Sequence, residues 1–203
     1  MSRLQHMLET WFGDWSDDDP FPDGGPPQYA IWWRKSDDND AMLRREFGEA
    51  NAAARRGELD SWTESAAGTI ALVLLLDQVS RNIHRGTAAM FSADAKAQDV
   101  VRNAIQAGLD ETMPLIHRYF LYMPLMHSES LADHALATER FAALGELSGD
   151  LARAACYAGA CSYEDKHRVI VERFGRYPHR NEILGRESTA EEREFLTQPG
   201  SNF

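Results

Sequence analysis

The sequence predicts an all-α fold, and three observations carry that prediction. Apolar residues recur at three- and four-residue spacing through most of the chain. Glycine and proline punctuate those runs where helices stop. No stretch alternates apolar and polar residues as a half-buried strand would. The chain has 203 residues, which predicts a single domain over residues 1–203. Hydrophobic residues make up 43% of it, enough for a sizeable core.

Residues 2–12 read as a short helix with Leu4, Met7, Leu8, Trp11 and Phe12 on its apolar side and Gly13 as its stop. Residues 14–27 read as a solvated loop rich in Asp, Pro and Gly. Its acids lack the spacing and closing Glu of a calcium loop. Residues 28–34 bring Trp32 and Trp33 towards the core. Asp37 or Asp38 is expected to cap a helix to about residue 56, with Met42, Leu43, Phe47, Ala50 and Ala54 inward and Gly57 after it. Ser65 caps residues 66–83. The run 70–76 within them is apolar all round, the mark of a buried central helix.

Ser92 is expected to cap residues 93–107, and Thr112 with Pro114 to start a helix that stops at Pro124. Ser128 or Ser130 opens a helix to about residue 147, with Leu131, Ala135, Phe141, Ala142 and Leu144 inward. Asp150 opens a long helix to residue 174, and Ser188 with Glu191 forms a capping box before residues 192–196. The sum is roughly eight helices with short connections, as antiparallel neighbours have.

The net charge of −11 argues against nucleic-acid and anionic-membrane partners, both of which favour a basic face. Of 21 basic residues only Lys35, Lys96 and Lys166 are lysines. Lysine is scarce throughout, which favours codon bias over functional enrichment of arginine. Cys156 and Cys161 have neither redox nor zinc spacing and read as reduced, small apolar residues. The N-terminal residues lack the apolar core of a secretory signal, and no apolar run approaches the roughly 20 residues of a membrane span. A cytoplasmic protein is expected.

Chemistry concentrates in two stretches. In residues 77–85 an acid, Asp77, is followed by Arg81, His84 and Arg85; in residues 172–180 Glu172 is followed by Arg176, His179 and Arg180. Arg81, Arg85, Arg176 and Arg180, with Arg118 as a further candidate, could converge on a phosphate or carboxylate, with Asp77 and Glu172 orienting the guanidinium groups. The competing reading is i, i+4 helix pairs or a buried ion-pair network. His84, His127, Glu129, His167 and His179 could serve as ligands or as a base, but no metal-binding spacing is present, so no metal and no cofactor are expected. Ser128 beside His127 reads as a helix cap rather than a nucleophile. Trp11, Trp15, Trp32, Trp33 and Trp62 read as core aromatics.

Four segments together resemble the bacterial "domain of unknown function 924" proteins: WFGDW, LLLDQVSRNIHRGTAAMFSADAKA, YFLYMPLMHSES and KHRVIVERFGRYPHRNEILGRESTAEEREFL. Val79–Ser80 and Tyr177 depart from that pattern, where an aromatic with proline and a phenylalanine are usual. The resemblance implies a tetratricopeptide-like, all-α helical array and no established activity.

From the residues, the first expectation is a non-enzymatic binding module. It would hold an anionic small molecule or peptide segment with Arg81, Arg85, His127, Arg176 and Arg180, and Asp77, Glu129 and Glu172 would orient them. The second is an enzyme acting on a phosphorylated or carboxylated metabolite with His127 or His179 as acid/base. The third is a structural role for the polar motifs, with homo-oligomerisation as the function.

Overall fold

The computed structural model describes residues 1–13, 28–149 and 151–201. Among these residues the regular structure is helical, with no strand. The order is α1 (Arg3–Phe12), α2 (Tyr29–Trp33), α3 (Asp37–Arg56), α4 (Ala66–Leu74), α5 (Ser80–Ile83), α6 (Asp94–Gln106), α7 (Leu115–Met126), α8 (Leu131–Leu147), α9 (Leu151–Phe174) and α10 (Ala190–Leu196). The loop expected at 14–27 and the helix start expected at Asp150 lie outside the described residues.

Hydroxyl caps set four of the starts. Ser2, Ser36, Ser65 and Thr189 each accept a first-turn N–H of α1, α3, α4 and α10. Two of these lie one residue from the expected position. Ser36, not Asp37 or Asp38, caps α3, because Ser36 has the extended backbone of a cap and its hydroxyl reaches Asn39 N–H. The aspartates then sit in the first turn, where the helix dipole favours negative charge. Likewise Thr189 and Glu192, not Ser188 and Glu191, form the capping box of α10. Ser92 is not the cap of α6. It has helical backbone angles in the turn before, and its hydroxyl donates to Ala89 O.

The rod of α4 and α5 runs through the centre. Residues Ile70 to Leu76 are fully buried, as an all-apolar run requires. The rod packs on α1, α6 and α7, and α3 lies along its second half. Between α4 and α5 the backbone widens into a π turn, Leu75–Val79, which carries Asp77. Asn51 of α3 donates to Leu75 O at 2.7 Å and to Ser80 Oγ at 2.7 Å, satisfying polar groups at the turn.

Two expectations fail through packing. α7 continues through Pro124 to Met126, because Leu125 and Met126 are buried, and their burial offsets the roughly 3 kcal/mol that an interior proline costs. In α8 the inward face carries Asp133, His134, Ala137, Phe141 and Leu144, while Leu131 is half exposed and Ala135 and Ala142 face outward. The polar residues turn inward to partners on other helices: Asp133 accepts from Arg102 on α6, and His134 meets Glu164 on α9. α7 packs on α8 and α8 on α9. A small second apolar cluster joins Ile170, Val171 and Tyr177 with Phe174 and Phe195, seating α10 near the end of α9. No helix among the described residues is long and apolar enough to cross a membrane.

Candidate functional site

Asp77 is the starting point. It enters on a rod that has just buried seven apolar residues in succession, and it is 1% exposed. A carboxylate placed there needs partners, because burying an unpaired charge is costly. Its Oδ1 lies 2.9 Å from Arg81 Nη1 and accepts from His127 Nδ1 at 2.8 Å, while its Oδ2 accepts from Gln78 Nε2 at 2.6 Å. Burial works to raise the carboxyl pKa, but Arg81 and His127 outweigh it and hold Asp77 below the usual carboxylate range.

Arg81 extends the network. Its Nη1 and Nη2 donate to Asp94 Oδ1 and Oδ2 at 2.9 and 3.0 Å, a two-point contact with the first residue of α6. Asp94 is shared, since Arg180 Nη1 also reaches its Oδ2 at 3.3 Å. Arg180 stands on the short turn Pro178–Arg180, and its Nη2 donates to His127 O at 2.9 Å. The Arg180 guanidinium stacks on the rings of Tyr177 and Phe91, 4.3 and 4.6 Å from their centroids. Burial and then the charge of Arg81 push its pKa down to about 10. His127 is lowered too, by burial first and by Arg81 second, against the opposing pull of Asp77. It is therefore neutral at pH 7, with Nδ1–H held by Asp77 and Nε2 on the other side of the ring.

More histidines surround this group. The rings of His127 and His167 are 6.2 Å apart, and Tyr177 lies 5.8 Å from His167 and 5.5 Å from His179. Burial, with His127 next, takes His167 to about 3, and burial, with Arg180 next, takes His179 to about 4. Tyr177 fixes the wall: its hydroxyl donates to Met126 O at 2.6 Å and its N–H donates to Glu129 Oε1 at 2.8 Å. Glu129 also receives both ends of the Arg186 guanidinium at 2.8 and 2.9 Å.

Of the residues singled out in the sequence, Asp77, Arg81, His127 and Arg180 thus meet in one group, with Glu129 holding its edge. Four others do not join it. Arg85 makes a two-point contact with Asp40 at 2.7 and 2.9 Å, tying the end of the rod to the start of α3. Arg176 does the same with Glu192 at 2.6 and 2.8 Å, and Glu172 pairs with Arg168 rather than with Arg176. Arg118 donates to the carbonyls of Met113 and Glu111. Ser128 is not the cap of α8: its hydroxyl donates to Asp133 Oδ2 at 2.7 Å and accepts Ser130 N–H at 3.1 Å. Among the described residues no cluster of His, Cys, Asp and Glu is arranged to hold a metal ion.

Sequence reasoning missed Asp94, the carboxylate that joins Arg81 to Arg180. Its position at the start of a helix, beside the aromatic Phe91, was the available signal. It also missed the fully buried pair of His134 Nδ1 and Glu164 Oε1, 2.6 Å apart.

No curated protein matches the chain. A solved structure described as a protein of unknown function, ATU0120 from Agrobacterium tumefaciens, is similar to it at 36% identity and a TM-score of 0.75, covering 95% of this chain and 96% of that one. The model of a family described as "Bacterial protein of unknown function (DUF924)" matches residues 7–200, so the chain that builds this Asp77–Arg81–Asp94–Arg180 group belongs to that family.

Proposed function

We propose that the protein is a non-enzymatic binding module that takes a small anionic molecule or an acidic peptide segment where Arg180, Arg81 and His127 meet. The state of Arg180 supports this reading. Its side chain is 8% exposed, and its one carboxylate contact among the described residues is at 3.3 Å, to an oxygen that already serves Arg81. Its Nε is buried without an acceptor. A guanidinium so weakly neutralised in a low-dielectric setting is costly, and an incoming carboxylate or phosphate would supply the missing acceptor. Arg81 is different, since two aspartates already satisfy it.

A second reading rests on His127. Asp77 holds its Nδ1–H and leaves Nε2 for proton transfer beside two arginines, an arrangement suited to general-base chemistry on a phosphorylated or carboxylated metabolite. Calorimetric titration with phosphate, citrate and a short peptide ending in two glutamates separates the readings. Binding to the native protein, weakened at least about tenfold in Arg180→Lys and retained in His127→Gln, supports the binding module. Turnover of a bound ester or phosphomonoester that disappears in His127→Gln supports the enzyme. Absence of binding by all three probes, with Arg180→Lys folded, leaves the group as a lock between helix ends and rejects both.

A further inference from the structure

We propose a second, independent anion site in the cleft between the end of α3 and the start of α6, and we assign its ligand to compact phosphomonoesters of the sugar-phosphate class. The cleft has a volume of about 450 Å³ and is lined by Ala52, Arg55, Arg56, Ser92, Ala93 and Lys96. That volume lies in the range of small-molecule sites, roughly 300–1,000 Å³. Three of the six lining side chains are cations, in a protein whose net charge is −11.

The three cations are held differently from those of the buried group. Arg55 donates to Ser92 Oγ at 2.6 Å and to His84 Nε2 at 2.9 Å, both neutral acceptors, and its positive charge meets no carboxylate among the described residues. A guanidinium can only donate, so His84 Nε2 turns its lone pair to Arg55, the shorter of two contacts, the other being Asn51 Oδ1 at 3.3 Å. Lys96 is anchored by Ala54 O at 2.8 Å and meets Asp60 at 2.5 Å; Arg56 meets Glu58 at 2.6 Å. Glu58 and Asp60 are both more than half exposed, so these two pairs are weak and a ligand in the cleft can replace them.

The lining also restricts the ligand. A phosphate matches the fork of Arg55 together with the point charge of Lys96, and the Ser92 hydroxyl can bond an adjoining polar group. Ala52 and Ala93 supply a small apolar surface. No aromatic ring lines the cleft, so a nucleobase would find no stacking platform there. None of these side chains shares a carboxylate with Arg81 or Arg180, and the site therefore stands or falls apart from the one proposed above.

The test is calorimetric titration of the whole protein with glucose 6-phosphate, glucose, inorganic phosphate and adenosine monophosphate. Glucose 6-phosphate is expected to bind and glucose is not. Arg55→Ala and Lys96→Met are each expected to weaken binding by about tenfold or more, whereas Arg180→Lys leaves it unchanged. Lys96 is half-buried, and the melting curve of Lys96→Met checks that its replacement leaves the protein folded. Failure of glucose 6-phosphate to bind, or equal binding by Lys96→Met, overturns the site. Tighter binding of adenosine monophosphate, or equal binding of inorganic phosphate, overturns the assigned ligand class. Loss of binding in Arg180→Lys alone would move the anion to the buried group and overturn the cleft.

Discussion

Asp77–Arg81 on the central rod and Arg168–Glu172 on α9 have the same i, i+4 spacing and both form ion pairs. Their surroundings differ. The side chains of the first pair are 1% and 15% exposed; those of the second are 33% and 45% exposed. Water screens the outer pair, and it stabilises its helix by a few tenths of a kcal/mol at most. The inner pair has given up its hydration and depends on Gln78, His127 and Asp94 to replace it. Spacing determines whether two side chains meet, and burial determines what the meeting is worth.

Removing the inner acid tests this most severely. Asp77→Ala strands Arg81 and His127 in a low-dielectric site and should cost about 3–5 kcal/mol, read as a lower urea midpoint with an unchanged slope. A loss under about 1 kcal/mol would show that the pair is hydrated after all.

Acid should act next. His167 and His179 have folded-state pKa values depressed to about 3 and about 4, below the unfolded value, so the unfolded chain takes up their protons first. Their contribution is full above the unfolded pKa near 6.5 and is lost as pH falls towards the folded values. Each histidine should remove about 1.4 kcal/mol per pH unit in that window. Glu129, with its pKa lowered mainly by Arg186 against the pull of burial, adds a loss in the same direction below its own unfolded value. Denaturation curves between pH 7 and 5 measure the slope, and a flat profile would mean that these histidines open to water. The smallest effect belongs to the outer pair: Glu172→Ala should change stability by less than about 0.5 kcal/mol, and a larger change would erase the contrast with the rod.

Much of the frame was legible. The apolar run ending at Leu76, the Ser65 cap and the glycine after α3 all act within a few residues of chain, where period and propensity operate. Asp77 and Arg81 could be read as a pair for the same reason. Arg85, Arg176 and Glu172 show where such reading stops. Arg85 chose Asp40, 45 positions away, and Arg176 chose Glu192 on the next helix, because the tertiary fold brought those carboxylates closer than any local one. Asp94 was hidden similarly: as the first residue of α6 it resembles an ordinary dipole partner, and only the arrival of the turn with Arg180 makes it a shared acceptor. The cleft residues Arg55 and Lys96 gave no sequence signal, since charges near helix ends are commonly solvated.

The π turn at Leu75–Val79 has a consequence for the angular phase of the rod. An extra residue within one turn rotates everything beyond it by about 100° relative to an uninterrupted α-helix. Arg81, His84 and Arg85 all lie past that point, so their headings towards Asp94, Arg55 and Asp40 are offset together by one inserted residue. A chain shortened by one residue of the turn beyond Leu76 would keep its apolar run. It would also swing all three side chains off their partners at once.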